Sequence, residues 1–179
     1  MPQNAAAPEP ARATRLLVLD PRAPGWTLRL TAAGEGTAVL VLDPARDGLA
    51  QAAEVAAEMA PLQELTLCGL SEPGRLGLGS ATLVVDGLAN GLEDRGWMLA
   101  ALGEGLAPGA ALVLADGAGD GSAGGRLLAA LARLVGRDVA AADGRILARP
   151  DRLREVPGWL LPPGQGSGPG SGPARLLAG

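Results

Sequence analysis

Two side chains have the chemistry of a nucleophile at a position where one would work. Cys68 ends a short apolar run, and Ser71 lies in the glycine-rich stretch that follows it. Residues 65–79 read as a strand running into a functional loop, with the turn pair Pro73-Gly74 inside it. Ligands of open α/β sheets collect beyond the carboxyl ends of the strands, so residues 69–74 are the first place to expect a site. Neither nucleophile has an imidazole or an amine for a base. The chain contains no histidine, and all 15 of its basic residues are arginine, which excludes imidazole and Ser-Lys activation alike. Only carboxylates remain as general bases, and an Asp with a pKa near ~3.9 activates an alcohol poorly. Cys68 reads as a small buried hydrophobe.

Two further patterns point to other chemistry. Gly119-Asp120-Gly121-Ser122-Ala123-Gly124 has the spacing of a dinucleotide-binding loop between a strand and a helix, with Asp143 about 20 residues on as a ribose ligand. Against it, Asp116-Gly117-Ala118 intervene after the strand, and a chain with 28 glycines produces such matches readily. Asp20, Asp43 and Asp116 each follow a predicted strand, and three carboxylates on one rim make an oxygen site for magnesium. Asp20-Pro21 and Asp43-Pro44 are also cap and turn signals, which accounts for two of the three. No bound cofactor is expected. A nucleotide site at Gly119, Gly121, Gly124 and Asp143, or a metal site at Asp20, Asp43 and Asp116, stands as the enzymatic alternative.

These residues depend on a run of alternating elements. Residues 16–19 and 37–42 are short apolar strands that share the ending Leu-Val-Leu-Asp-Pro. A short helix at 26–33 separates them, and an amphipathic helix at 48–60 follows, with Leu49, Ala52, Ala56 and Met59 on one face and a stop at Pro61. The third strand is 65–68, and 75–78 adds a short extended segment. Leu88, Leu92, Leu99, Leu102 and Leu106 mark one or two helices ended by Pro108-Gly109. Residues 110–115 are apolar throughout and predict a strand covered on both faces. The loop 116–125 leads to a helix at 126–135 and a fifth strand at 138–142. Asp143-Gly144 is a hairpin turn into an antiparallel edge at 145–148, and 159–161 offers a last edge segment. The fold expected is a three-layer α/β domain: a mostly parallel open sheet, helices on both faces, and an antiparallel edge near the C-terminus. It is expected to occupy 14–161, between a disordered arm at 1–13 and a Gly/Pro/Ser-rich tail at 162–179.

Composition narrows the function classes. At 179 residues the chain buries a sizeable core, and its single cysteine excludes an internal disulfide. The charge of −4 and the scatter of the arginines argue against nucleic acid or an anionic membrane as partner. No stretch approaches the ~20 apolar residues of a membrane span, and residues 1–13 lack the pattern of a secretory signal. The three tryptophans are the only aromatic residues, so Leu, Val and Ala must build the core. Abundant Ala, Gly, Arg and Pro suggest a GC-rich coding sequence.

Three segments carry a family resemblance: Leu42-Asp43-Pro44-Ala45-Arg46-Asp47-Gly48-Leu49-Ala50-Gln51, the loop from Ser71 through Pro73-Gly74-Arg75 to Gly79, and Leu131-Ala132-Arg133-Leu134-Val135-Gly136-Arg137-Asp138-Val139-Ala140-Ala141. Together they resemble the bacterial domain of unknown function 4347 over roughly residues 15–159. That family is found mostly near the N-termini of very large surface or secreted proteins, among repeat-rich adhesins, and is similar in fold to caspase-like cysteine peptidases. Its members typically carry Ser-His-Gly just before the Pro-Gly turn and Gly-Cys after the next long strand. The resemblance carries the histidine position onto Leu70, the following glycine onto Ser71, and the cysteine position close to Asp116. It therefore implies a caspase-like fold without its dyad, and a non-catalytic interaction or accessory module whose partner is a protein of unknown identity.

Overall fold

The computed structural model describes residues 12–85, 95–142 and 146–150. Five parallel strands and one antiparallel strand form the main sheet: β1 (Arg15–Leu19), β2 (Thr37–Val41), β3 (Leu62–Cys68), β7 (Leu106–Leu114), β8 (Asp138–Ala141) and β9 (Ile146–Ala148), in the order β2-β1-β3-β7-β8-β9. The antiparallel pairing of β9 with β8 is the expected C-terminal edge. Alternation along the strands explains the layers. Leu16 and Val18 of β1, Leu65 and Leu67 of β3, and Leu112 and Leu114 of β7 enter the main core with α2 (Gly48–Met59), α3 (Gly96–Gly105) and α4 (Gly121–Val135). Leu17 and Leu19 belong to a smaller cluster with Val39, Cys68, Ala115 and Trp26, the first residue of α1 (Trp26–Ala32). Helices thus cover both faces, thinly on the side of α1, which has no buried residue.

The shared ending of the first two strands folds the same way twice. Asp20 Oδ1 accepts the Arg22 amide at 2.9 Å, and Asp43 Oδ1 accepts the Ala45 amide at 2.9 Å, so each Asp-Pro pair turns the chain through its own carboxylate. The carboxylate that caps α2 is a third one, Asp47, which accepts from Leu49 and Ala50 at 2.9 and 3.1 Å.

The largest departure from expectation lies after β3. In place of one short extended segment stands a three-stranded antiparallel meander, β4 (Leu70–Glu72), β5 (Arg75–Leu78) and β6 (Ala81–Val84). Its inner face, with Leu76, Leu78 and Leu83, is buried in the main core. Gly69 joins β3 to it. A Cβ on Gly69 would lie 2.0 Å from the Gly77 carbonyl oxygen, so only glycine lets the chain double back there.

Two boundaries also move. Helix α3 ends at Gly105, and Pro108-Gly109 does not end it but lies inside β7, where the pairing with β3 jumps from Leu62–Leu106 to Glu64–Ala111. An irregular stretch of this kind leaves a proline without a ladder partner to lose. Helix α4 starts at Gly121, five residues before the expected 126, and ends at Gly136 in the left-handed region with φ 68°. The N-terminal arm up to residue 11, the leucines at 88 and 92, the turn at 143–144, the edge segment at 159–161 and the tail lie outside the described residues. Among those described, no helix is long and apolar enough to cross a membrane.

Candidate functional site

Because β1, β3 and β7 are neighbours and parallel, their carboxyl ends form one rim. There Cys68 Sγ donates to Asp116 Oδ2 at 3.3 Å, and Arg29 of α1 pairs with the other oxygen of the same carboxylate. Asp116 has φ 65°, and it is the one non-glycine residue at positive φ among the described residues. Such a conformation costs on the order of 1 kcal/mol or more and is held here by two side-chain partners. It turns the chain out of β7 into a 3-10 turn at Asp116–Gly119. Burial pushes the Cys68 thiol up to about 12, helped by the hydrogen bond to Asp116 and by its charge, with Arg29 opposing. A thiol in that state is a poor nucleophile.

Leu70 and Ser71 open β4 beside this rim. The Ser71 hydroxyl lies 3.3 Å from both the Gly69 and Ala115 carbonyl oxygens, and the Gly74 amide donates to Ala118 at 3.0 Å. Those bonds tie the loop after β3 to the turn after β7, so the positions of Leu70 and Asp116 lie on adjoining segments. The Ser71 proton goes to a carbonyl, and no base stands beside it in these bonds.

Asp20 occupies the same rim but serves the fold. Fully buried, it accepts Arg22 Nε at 3.0 Å, Arg22 Nη2 at 2.7 Å and the Gly79 amide at 2.7 Å, while Arg22 also donates to the Gly79 carbonyl. Burial alone would raise its pKa, but the Arg22 side chain and the Arg22 and Gly79 amides outweigh burial and hold the carboxyl below its ordinary range. This knot locks the far end of β5 onto β1. Asp43 lies exposed at the end of the edge strand β2, engaged with Ala45. The three carboxylates considered for magnesium are therefore each engaged elsewhere, Asp116 with Arg29 and Cys68. Among the described residues no three of His, Cys, Asp and Glu come together to hold a metal.

The glycine pattern also has a different use. Gly119 closes the 3-10 turn, and Gly121 and Gly124 are inside α4, so the segment expected as a loop is mostly helix. A Cβ on Gly124 would lie 2.1 Å from the Gly119 carbonyl carbon, so the glycines there let helix and turn touch. Asp143 lies outside the described residues. Gly124→Ala is accordingly expected to cost about 1–3 kcal/mol with no ligand present, as overpacking does. An unchanged urea midpoint would remove this packing role.

Beside the rim lies a cleft of which the sequence marked only one edge, the stretch 69–74. The outer face of the meander, with Arg22 and Pro24, encloses this cleft of about 530 Å³, lined by Leu70, Ser71, Glu72, Arg75, Gly77 and Thr82 among others. The signal was present in the alternation of Arg75-Leu76-Gly77-Leu78 and Ala81-Thr82-Leu83-Val84, two period-2 runs separated by Gly79-Ser80.

The chain belongs to the family described as Domain of unknown function (DUF4347), whose model matches residues 16–146. No curated protein matches it. Among solved structures, it is similar to one titled "Crystal structure of a small-chain dehydrogenase", at 15% identity and a TM-score of 0.36, over 75% of this chain and 79% of that one.

Proposed function

We propose that this member of the DUF4347 family is a non-catalytic, caspase-like α/β module that acts by binding a partner protein, in association with bacterial surface or secreted proteins. The observation that carries the reading is the state of Asp116. At the position where the resemblance expects a nucleophilic cysteine, a carboxylate is tied to Arg29 and to a buried thiol. At the histidine position Leu70 offers an apolar side chain that is 41% exposed, which suits contact with a partner better than proton transfer. The purified protein, assayed with mixed peptide substrates and with p-nitrophenyl acetate, is expected to match its Ser71→Ala and Cys68→Ala variants at the buffer background. Turnover that disappears in either variant would overturn the reading.

A further inference from the structure

The cleft on the outer face of the meander contains a cation prepared for a ligand. Arg22 is fixed on one side by the buried Asp20, through Nε and Nη2, and by the Gly79 carbonyl, which leaves both N–H bonds of Nη1 outside that set. Its side chain is 42% exposed and lines the cleft. A guanidinium held in place by a buried carboxylate has already lost the rotamer freedom that binding would otherwise cost. Arg75 lines the same cleft, and its pairing with Glu72 is loose at 3.8 Å and exposed on both sides. Gly77, opposite Leu70 and Thr82 in the meander, adds no side chain to the floor. The volume of about 530 Å³ falls within the ~300–1,000 Å³ of ligand clefts.

We infer that this cleft receives a peptide segment of a partner protein through a single carboxylate seated on Arg22, with Arg75 as the second cation. The inference rests on the reading of the domain as a non-catalytic binding module. Directed donors select the carboxylate. Asp20 beneath Arg22 and Glu72 beside Arg75 balance the two arginines, so the cleft has no net positive charge to hold a phosphate dianion, while the Nη1 N–H bonds of Arg22 still present a fixed donor pair to a single carboxylate. Leu70 and Pro24 on the same cleft provide an apolar wall for the residue beside the carboxylate, which a small free acid would not use.

The test is a titration of the ¹⁵N-labelled full chain with N-acetylated, C-terminally amidated tetrapeptides carrying one Asp, each paired with its Asn counterpart, and separately with sodium phosphate. Asp peptides are expected to shift the Arg22 Nε–H signal and the Ser80 and Thr82 amides saturably, with the Asn forms at least about tenfold weaker, because the bond to Arg22 is charge-assisted. Arg22→Gln should abolish these shifts. Since that variant also loosens the Asp20 knot, Arg75→Gln is the second test, expected to weaken binding several-fold at an unchanged melting temperature. Equal binding of Asn peptides, no saturable shift with any Asp peptide, retention of binding in both variants, or binding of phosphate alone would each overturn the inference. Cleavage of a bound peptide would instead overturn the non-catalytic reading and leave the cleft assigned.

Discussion

Asp20→Ala is expected to destabilise the protein by about 2–4 kcal/mol, which for a chain of this size lowers the melting temperature by roughly 5–15 °C. The buried carboxylate satisfies the Gly79 amide and two nitrogens of Arg22, so its removal strands a donor and frees the junction between β1 and the meander. Arg22 is partly exposed and regains water, which keeps the cost below that of a fully buried pair. The effect has a defined pH dependence. Because the folded pKa of Asp20 lies below the ordinary 3.8, its stabilisation is fully present above that value and is lost as the pH falls through the lower, folded one. Wild type and variant should therefore differ by a constant amount near neutrality and converge in acid below about pH 3.8. Thermal melts at pH 7, 5 and 3 measure this, and a difference under about 0.5 kcal/mol at pH 7 would show that the knot contributes little.

The second large effect concerns Cys68, whose alkylation by iodoacetamide at pH 8 is expected to be at least about 100-fold slower in the native protein than in denaturant. With the thiol at about 12 in place of 9.0, the thiolate is some thousandfold scarcer. The greater nucleophilicity of the more basic thiolate returns roughly ten- to thirtyfold of that. Full burial of the side chain closes direct attack and restores the larger factor. Asp116→Asn should raise the alkylation rate, since it removes the negative charge that faces the thiol. Native labelling within tenfold of the denatured rate would mean that Cys68 is accessible and available as a nucleophile.

Much of this protein was determined locally. An apolar run of four to six residues between turn signals favours an extended strand wherever it falls, because backbone pleating and the preference of Val and its neighbours for it act over a few adjacent residues. The five parallel strands, the antiparallel edge and the amphipathic helix after Gly48 were legible for that reason. So was the lack of an imidazole or lysine base for Ser71 or Cys68, which follows from composition alone. The rest depended on strand order. Asp20 and Asp43 end the same five-residue pattern and make the same turn, yet one is buried in a knot and the other exposed, because β1 lies inside the sheet and β2 at its edge. Nothing within either segment carries that difference. Arg29, Cys68 and Asp116 meet only because α1 lies against the rim where β3 and β7 end side by side. Gly121 and Gly124, which suggested a loop, serve the helix instead: Gly121 begins α4 at φ 63°, and Gly124 lies so close to the turn before it that a Cβ would not fit. Propensity is a property of a few adjacent residues, whereas burial and pairing are set by contacts between segments far apart in the chain, and these decided where each carboxylate and thiol found its partner.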